Sequence, residues 1–217
     1  MIKTTVRAFA AAALALLPLA TTITPAHAAE TLSLHDGIEA LPQAAESRDG
    51  YERTKFKHWI DEDKNGCNTR NEVLLAEAVT QPTVGAGCKI TGGTWRSYYD
   101  DTTVQGPSGL DIDHMVPLAE AWDSGASQWT AARRQAYAND LGAERSLVAV
   151  TAKSNRSKAD QDPAQWMPPA IDAQCTYLSD WVSTKLRWSL TVDRAERDTL
   201  RQLAAGCEST DVEFERV

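Results

Sequence analysis

All four cysteines of the chain, Cys67, Cys88, Cys175 and Cys207, lie beyond an N-terminal segment built for export, and this limits the fold more than any other feature. An even count of cysteines in an exported chain argues for two disulfides. Three pairings are possible. The sequential one, Cys67 with Cys88 and Cys175 with Cys207, closes the shorter loops and is the expected one. No Cys-x-x-Cys pair occurs, which argues against a zinc knuckle or a thioredoxin-type site. The export segment combines a basic start (Lys3, Arg7), an apolar run from Ala8 to Ala20 and an Ala26-His27-Ala28 cleavage pattern. It is too short to span a membrane, and no later stretch approaches the roughly 20 apolar residues that a span needs. Residues 1–28 therefore read as a signal peptide. Of 217 residues, removal of 28 leaves 189, enough for one domain with its own core, secreted to the outside of the cell.

Loss of Lys3 and Arg7 with the leader takes the basic count from 22 to 20, against 30 acidic residues, a net charge of −10. An acidic protein gains no long-range steering toward nucleic acid, which counts against a tight DNA-binding module. It counts less against an enzyme that needs only a local basic groove and a divalent cation.

Residues 29–50 are polar and read as a flexible lead-in to a single domain over 51–217. Tyr51, Phe56, Trp59 and Ile60 fall at roughly helical spacing, and Thr69 to Val79 reads as a helix. Trp95 to Tyr99, Leu110 to Val116 and Leu147 to Val150 read as short strands. Pro117 opens a helix through Trp122, Ser127 caps one to about Leu141, and Ser154 caps one from Asn155 to about Gln161. Two last helices fit Asp172 to Trp188 and Val192 to Ala205. The class is α+β, mostly helical, with a small antiparallel sheet surrounded by helices. The tryptophans at helical spacing, Trp181 and Trp188, suit a core better than a base-stacking platform, as do Trp122, Trp129 and Trp166.

The chemistry concentrates in Asp111-Ile112-Asp113-His114-Met115-Val116-Pro117-Leu118. Two carboxylates and an imidazole occupy four residues at the end of a strand. Regular alternation would send Asp111 and Asp113 to one face and His114 to the other, so a bend before Pro117 is required to aim Asp113 and His114 at one point. A second strand then leads to Asn155-Arg156-Ser157-Lys158-Ala159-Asp160.

Strand ending in Asp-His, insertion, strand, then a helix beginning with Asn: this order resembles the ββα-metal core of HNH-family nucleases. The resemblance is closest to exported relatives of the C-terminal nuclease domain of GmrSD-type restriction enzymes. Ala121-Trp122-x-Ser124-Gly125-Ala126, Asn139-Asp140, Trp166-x-Pro168-Pro169 and Cys67-Asn68-Thr69-Arg70-x-Glu72-Val73 also carry it. It implies an endonuclease that hydrolyses phosphodiester bonds of DNA, and by extension RNA, with little sequence preference. His114 would be the general base, and Asp113 and Asn155 would hold one divalent cation, Mg²⁺ or alternatively Mn²⁺. A neutral imidazole takes a proton near pH 7. Carboxylate and amide oxygens are hard donors suited to Mg²⁺. Lys158 is assigned to a phosphate oxygen or to a pair with Asp160, Arg156 to the nucleic-acid backbone, and Asp111 to orienting a ligand or capping a turn. The helix start favours an anion. One departure is plain: Glu144-Arg145-Ser146 stands where HNH sequences have a middle Asn, and Asn139 is the nearest substitute to steady the loop carrying the base.

A second motif stands apart. Asp61-x-Asp63-x-Asn65-Gly66 followed by Glu72 has the spacing of an EF-hand calcium loop, although Cys67 inside it restricts wrapping. It is either a structural Ca²⁺ site or a polar, disulfide-tethered turn. Two other functions fit the chain: a calcium-stabilised binding or cell-surface module with a purely structural Asp-His segment, and a metal phosphoesterase for small substrates. The protein is expected to act as a monomer, on nucleic acid and not at a membrane.

Overall fold

The computed structural model describes residues 28–217, together with Met1; the leader read from the sequence otherwise lies outside the described residues. The chain runs through β1 (Glu30–Ser33), α1 (Leu34–Ala40), α2 (Thr69–Ala76), β2 (Thr83–Gly85), β3 (Lys89–Thr91), β4 (Thr94–Ser97) and β5 (Thr102–Gln105). It continues through β6 (Leu110–His114), α3 (Leu118–Asp123), α4 (Ala131–Ala138), β7 (Leu147–Thr151), α5 (Ala152–Lys158), α6 (Gln174–Trp188), α7 (Arg194–Ala204) and β8 (Asp211–Phe214). Helices thus mix with antiparallel strands, as an α+β chain requires. The strands form four separate pairs, β1–β8, β2–β3, β4–β5 and β6–β7, where the sequence suggested one small sheet. Both expected disulfides are present, Cys67–Cys88 and Cys175–Cys207.

The pair that matters for function is β6–β7, in register from Leu110 opposite Thr151 to His114 opposite Leu147. Every residue of β7 is buried, which marks a strand covered on both faces. Alternation divides them. Leu110, Ile112, Leu147 and Ala149 pack with Trp95, Val73 and Leu74 in one cluster. Val148 and Val150 join the main core with Tyr177, Trp181 and Leu186 of α6. The polypeptide then passes directly from β7 into α5, which packs back on both strands.

Three expectations are corrected. The segment 29–50 is not a flexible lead-in: β1 pairs with β8, and α1 buries Leu34 and Ile38. Its Ser33 caps α1 by accepting from the Asp36 amide. The 51–60 segment is not helical beyond a single turn at Arg53–Lys55. Its apolar residues still point inward, Phe56 fully so, but polar anchors hold it as an extended strap. Asn139 receives the Ile60 amide at 3.1 Å and donates to the Lys57 carbonyl at 2.8 Å. Finally, α5 begins three residues early. Thr151, not Ser154, is the cap, accepting from the Ser154 amide. The Asp100 carboxylate accepts from the Thr151 hydroxyl at 2.6 Å and the Ser154 hydroxyl at 2.9 Å. The positive end of α5 is therefore already neutralised by Asp100 and is not a phosphate seat.

Candidate active site

Strand β6 delivers its two carboxylates and its imidazole to different surroundings. The break in the strand after His114 is fixed by one side chain. Lys158, at the end of α5, reaches back with its ammonium and donates to the His114 carbonyl at 3.0 Å, the Met115 carbonyl at 2.9 Å and Asp113 Oδ2 at 2.6 Å. Three donors thus meet three acceptors, and Lys158 is 0% exposed. It can reach neither a phosphate nor Asp160, the two roles expected of it. What it does is turn the backbone between β6 and Pro117. That turn lets Asp113 and His114 border one pocket of about 250 Å³, together with Asn155, Arg156 and Asp160.

His114 is held on every side but one. Its Nε2 lies 3.0 Å from the Ala138 carbonyl. A carbonyl only accepts, so Nε2 carries the hydrogen and Nδ1 keeps the lone pair. The ring stacks on Trp59 at 5.4 Å and 30° and lies near-parallel to Tyr137 at 6.4 Å and 22°. Burial pushes its pKa down to about 3, and the nearby positive charge of Arg53 acts in the same direction. The imidazole is neutral at pH 7, the state a proton acceptor requires.

Asn139 acts one step further back. Its four hydrogen-bonding positions are all used: Oδ1 accepts from the Ile60 amide and the Thr69 hydroxyl, and Nδ2 donates to Lys57 and Gln135 carbonyls. It does not touch His114. It fixes the end of α4, whose Ala138 carbonyl is the acceptor for His114 Nε2.

Asp113 is 5% exposed, and its Oδ2 also accepts from the Tyr99 hydroxyl at 2.7 Å. Burial pushes its carboxyl up, against the pull of Lys158, and pushes the Lys158 ammonium down. Asp113 Oδ1 has no protein partner among these bonds. Asp111 is more open, with 31% of its side chain exposed. It accepts from Asn155 Nδ2 at 3.3 Å and lies 3.4 Å from Arg156 Nε. That bond turns the Asn155 amide so that its oxygen is the end left over. Asp113 Oδ1 and Asn155 Oδ1 are then two unclaimed oxygen donors on one small pocket, a donor set of the right kind for a hard divalent cation. Asp160 is exposed and lies 3.5 Å from Arg48.

Two of the seven non-glycine residues with positive φ among the described residues stand beside this site. Trp59, a bulky residue, has φ 57°, and Ala159, ending α5, has φ 50°. Such conformations persist only where the surroundings impose them, and they cluster at functional sites.

Sequence reasoning missed Tyr99, Trp59 and Arg53. None was marked by a chemical motif, and only the fold of the strap and of the turn after β4 sets Tyr99 against Asp113, Trp59 against His114 and Arg53 on the pocket's lining. Elsewhere, hydrogen bonds join Asp63, Asn65 and Glu72, while Asp61 turns to the backbone of its own loop; among the described residues Asp61, Asp63 and Glu72 do not bring their oxygens into one cluster. Asn65 donates to Asp63 and Glu72 at 2.9 and 2.8 Å, and Asp61 accepts from the Gly66 amide at 3.0 Å. The helix expected before this loop is absent, so only α2 flanks it. A separate carboxylate trio, Glu46, Glu120 and Glu196, brings oxygens within 4.8 Å of one another. The Lys185 ammonium already binds two of its members, Glu120 at 2.9 Å and Glu196 at 2.7 Å.

Fold and site together define a disulfide-braced α+β protein with a carboxylate–imidazole–amide pocket on an antiparallel strand pair and its following helix. The sequence matches the family model of the GmrSD restriction endonuclease C-terminal domain over residues 68–203, and the chain belongs to that family. It is also 42% identical over 175 residues to an uncharacterized secreted protein of Arthroderma benhamiae, an alignment covering 81% of this chain and 83% of the relative. No solved structure matches it. The secreted relative and the two disulfides agree with the export segment, and the protein is secreted and extracellular. Among the described residues no helix is long and apolar enough to cross a membrane.

Proposed function

We propose that this protein is an extracellular, metal-dependent endonuclease that hydrolyses phosphodiester bonds of DNA, and also of RNA, with low sequence preference. The observation that carries the reading is the state of His114: Nε2 is committed to Ala138, which leaves Nδ1 as the neutral acceptor, and His114 lines the pocket shared with Asp113 and Asn155. In this reading His114 takes the proton of the attacking water at Nδ1. Asp113 and Asn155 would hold the divalent cation, Mg²⁺ in the first place, which supplies charge neutralisation at the scissile phosphate and the leaving oxygen. Tyr99 and Lys158 keep the Asp113 carboxylate in one orientation, and Asp111 does the same for the Asn155 amide. The Ala138 carbonyl and the Trp59 and Tyr137 rings keep the imidazole from turning. The membership in a restriction-endonuclease domain family supports a nuclease-type activity.

The test is cleavage of supercoiled plasmid by the mature protein with Mg²⁺, Mn²⁺ or EDTA, beside His114→Ala. The expected result is nicking and degradation that needs metal and falls by about 10²–10⁴-fold in the variant, the contribution of a general base. A wild type inert on DNA and RNA with every metal, or a fully active His114→Ala, would overturn the assignment.

A further inference from the structure

Two arginines border the His114 pocket, and their circumstances differ. Arg156 on α5 sits 3.4 Å from Asp111, so its charge is partly answered. Arg53 comes from the other side, on the short turn of the 51–60 strap. Its neighbours Arg48 and Lys55 have carboxylate partners, Asp123 at 2.6 Å and Glu52 at 3.8 Å. Among the described residues, no carboxylate lies within ion-pair distance of Arg53.

An exposed arginine with no carboxylate partner, here with the Tyr51 hydroxyl beside it, is ordinarily just solvated. Two features set this one apart. It is carried on a backbone fixed from below, because Phe56 is 0% exposed and Asn139 anchors both Lys57 and Ile60. It also borders the same small pocket as the imidazole, the carboxylate and the amide. The pocket is lined by the Asp113 carboxylate from β6 and by that of Asp160, so an anionic substrate entering it meets repulsion that a cation on its rim offsets.

We propose that Arg53 is a substrate-binding residue, its guanidinium donating to the non-bridging oxygens of the phosphodiester presented to His114. A guanidinium suits this role because its planar fork matches two oxygens of one phosphate. The inference rests on the nuclease reading above and adds the residue that seats its substrate.

Binding can be read apart from cleavage in the His114→Ala background, with EDTA present, using a short fluorescent single-stranded oligodeoxynucleotide and anisotropy over a range of salt. Arg53→Ala added to that background is expected to weaken binding by about tenfold at low salt. It should also reduce the slope of log K against log salt by about 0.7, the loss of one phosphate contact. In the otherwise wild-type protein, Arg53→Ala should lower plasmid cleavage by about 100-fold, with Arg53→Lys recovering part of it. Arg194→Ala, on the far-exposed face of α7, serves as the matched loss of one positive charge and should change neither slope nor rate. If the His114→Ala protein binds and Arg53→Ala leaves affinity, slope and cleavage as they were, the Arg53 assignment is wrong while the nuclease reading stands. If the wild type does not cleave and the His114→Ala protein does not bind, both fall together.

Discussion

Among the described residues two lysines are buried to zero exposure, and they keep opposite company. Lys185 of α6 binds two carboxylates, Glu120 and Glu196, with Ser124 Oγ and the Thr191 carbonyl completing its shell. Its ammonium is held well above the ordinary lysine value by those two anions, despite burial. Lys158 of α5 binds one carboxylate, Asp113, and two backbone carbonyls. There burial outweighs the single anion and the ammonium is pushed down. The first is over-compensated and ties α3, α6 and α7 together. The second is under-compensated and sits beneath the pocket. The contrast teaches that identical burial serves two purposes: a hub where charge is fully matched, and a site where mismatch is kept next to the groups that react.

The largest effect expected from breaking this contrast is on the hub. Lys185→Met leaves Glu120 and Glu196 buried without their cation, and removing one member of a buried ion pair costs about 3–5 kcal/mol. Urea unfolding should show that loss, while cleavage per folded molecule stays at the wild-type level. A variant as stable as wild type would mean that the two glutamates share a proton and need no ammonium.

Lys158→Met should invert the pattern. It strands one carboxylate rather than two, and Tyr99 still donates to it, so the stability loss should be smaller than for Lys185→Met. Activity, however, should fall by about 10–100-fold, the usual effect of removing a group that orients a metal-ligating side chain. If Lys158→Met lowers stability and leaves the rate per folded molecule unchanged, Lys158 is a second hub and the contrast disappears.

How much of this was legible in the sequence follows from the same contrast. The strand pair, the Asp113-His114 juncture and the bend before Pro117 were readable, because apolar runs and a proline announce them locally. Lys158 was not: lysine in a helix bearing Arg and Asp neighbours reads as exposed, and only the fold places Asp113, the His114 and Met115 carbonyls and the Trp181 ring around it. Asn139 was singled out for the loop next to the base, yet its four partners, from Lys57 to Gln135, could not be named without the fold. The strap over 51–60 failed as a helix because its apolar spacing was real but its backbone groups were claimed by Asn139. The 29–50 segment failed for the converse reason: α1 is short, and its strand partner β8 lies at the other end of the chain.

The smallest predicted effect concerns the third carboxylate at the hub. Lys185 already has two anions, so Glu46 arrives as a surplus charge, and its Oε1 is buried with no hydrogen-bond partner. Burial, then Glu120, push its carboxyl up to about 8, with Lys185 pulling the other way and Glu196 and Asp193 adding to the rise. Between the ordinary value of 4.5 and about 8 the folded protein keeps a proton that the unfolded chain has released. Stability from this group is therefore full below 4.5 and is lost as pH rises through about 8. Asp180 and Glu77, each pushed up to about 7 by burial, tilt stability the same way but finish earlier. Glu46→Gln mimics the protonated acid. Its Tm should match wild type near pH 5, exceed it by a growing margin of a few degrees as pH rises, and level off once Glu46 has ionised. A difference that stays constant with pH would mean that Glu46 is charged in the native state. Lys185 would then be balancing three anions rather than two.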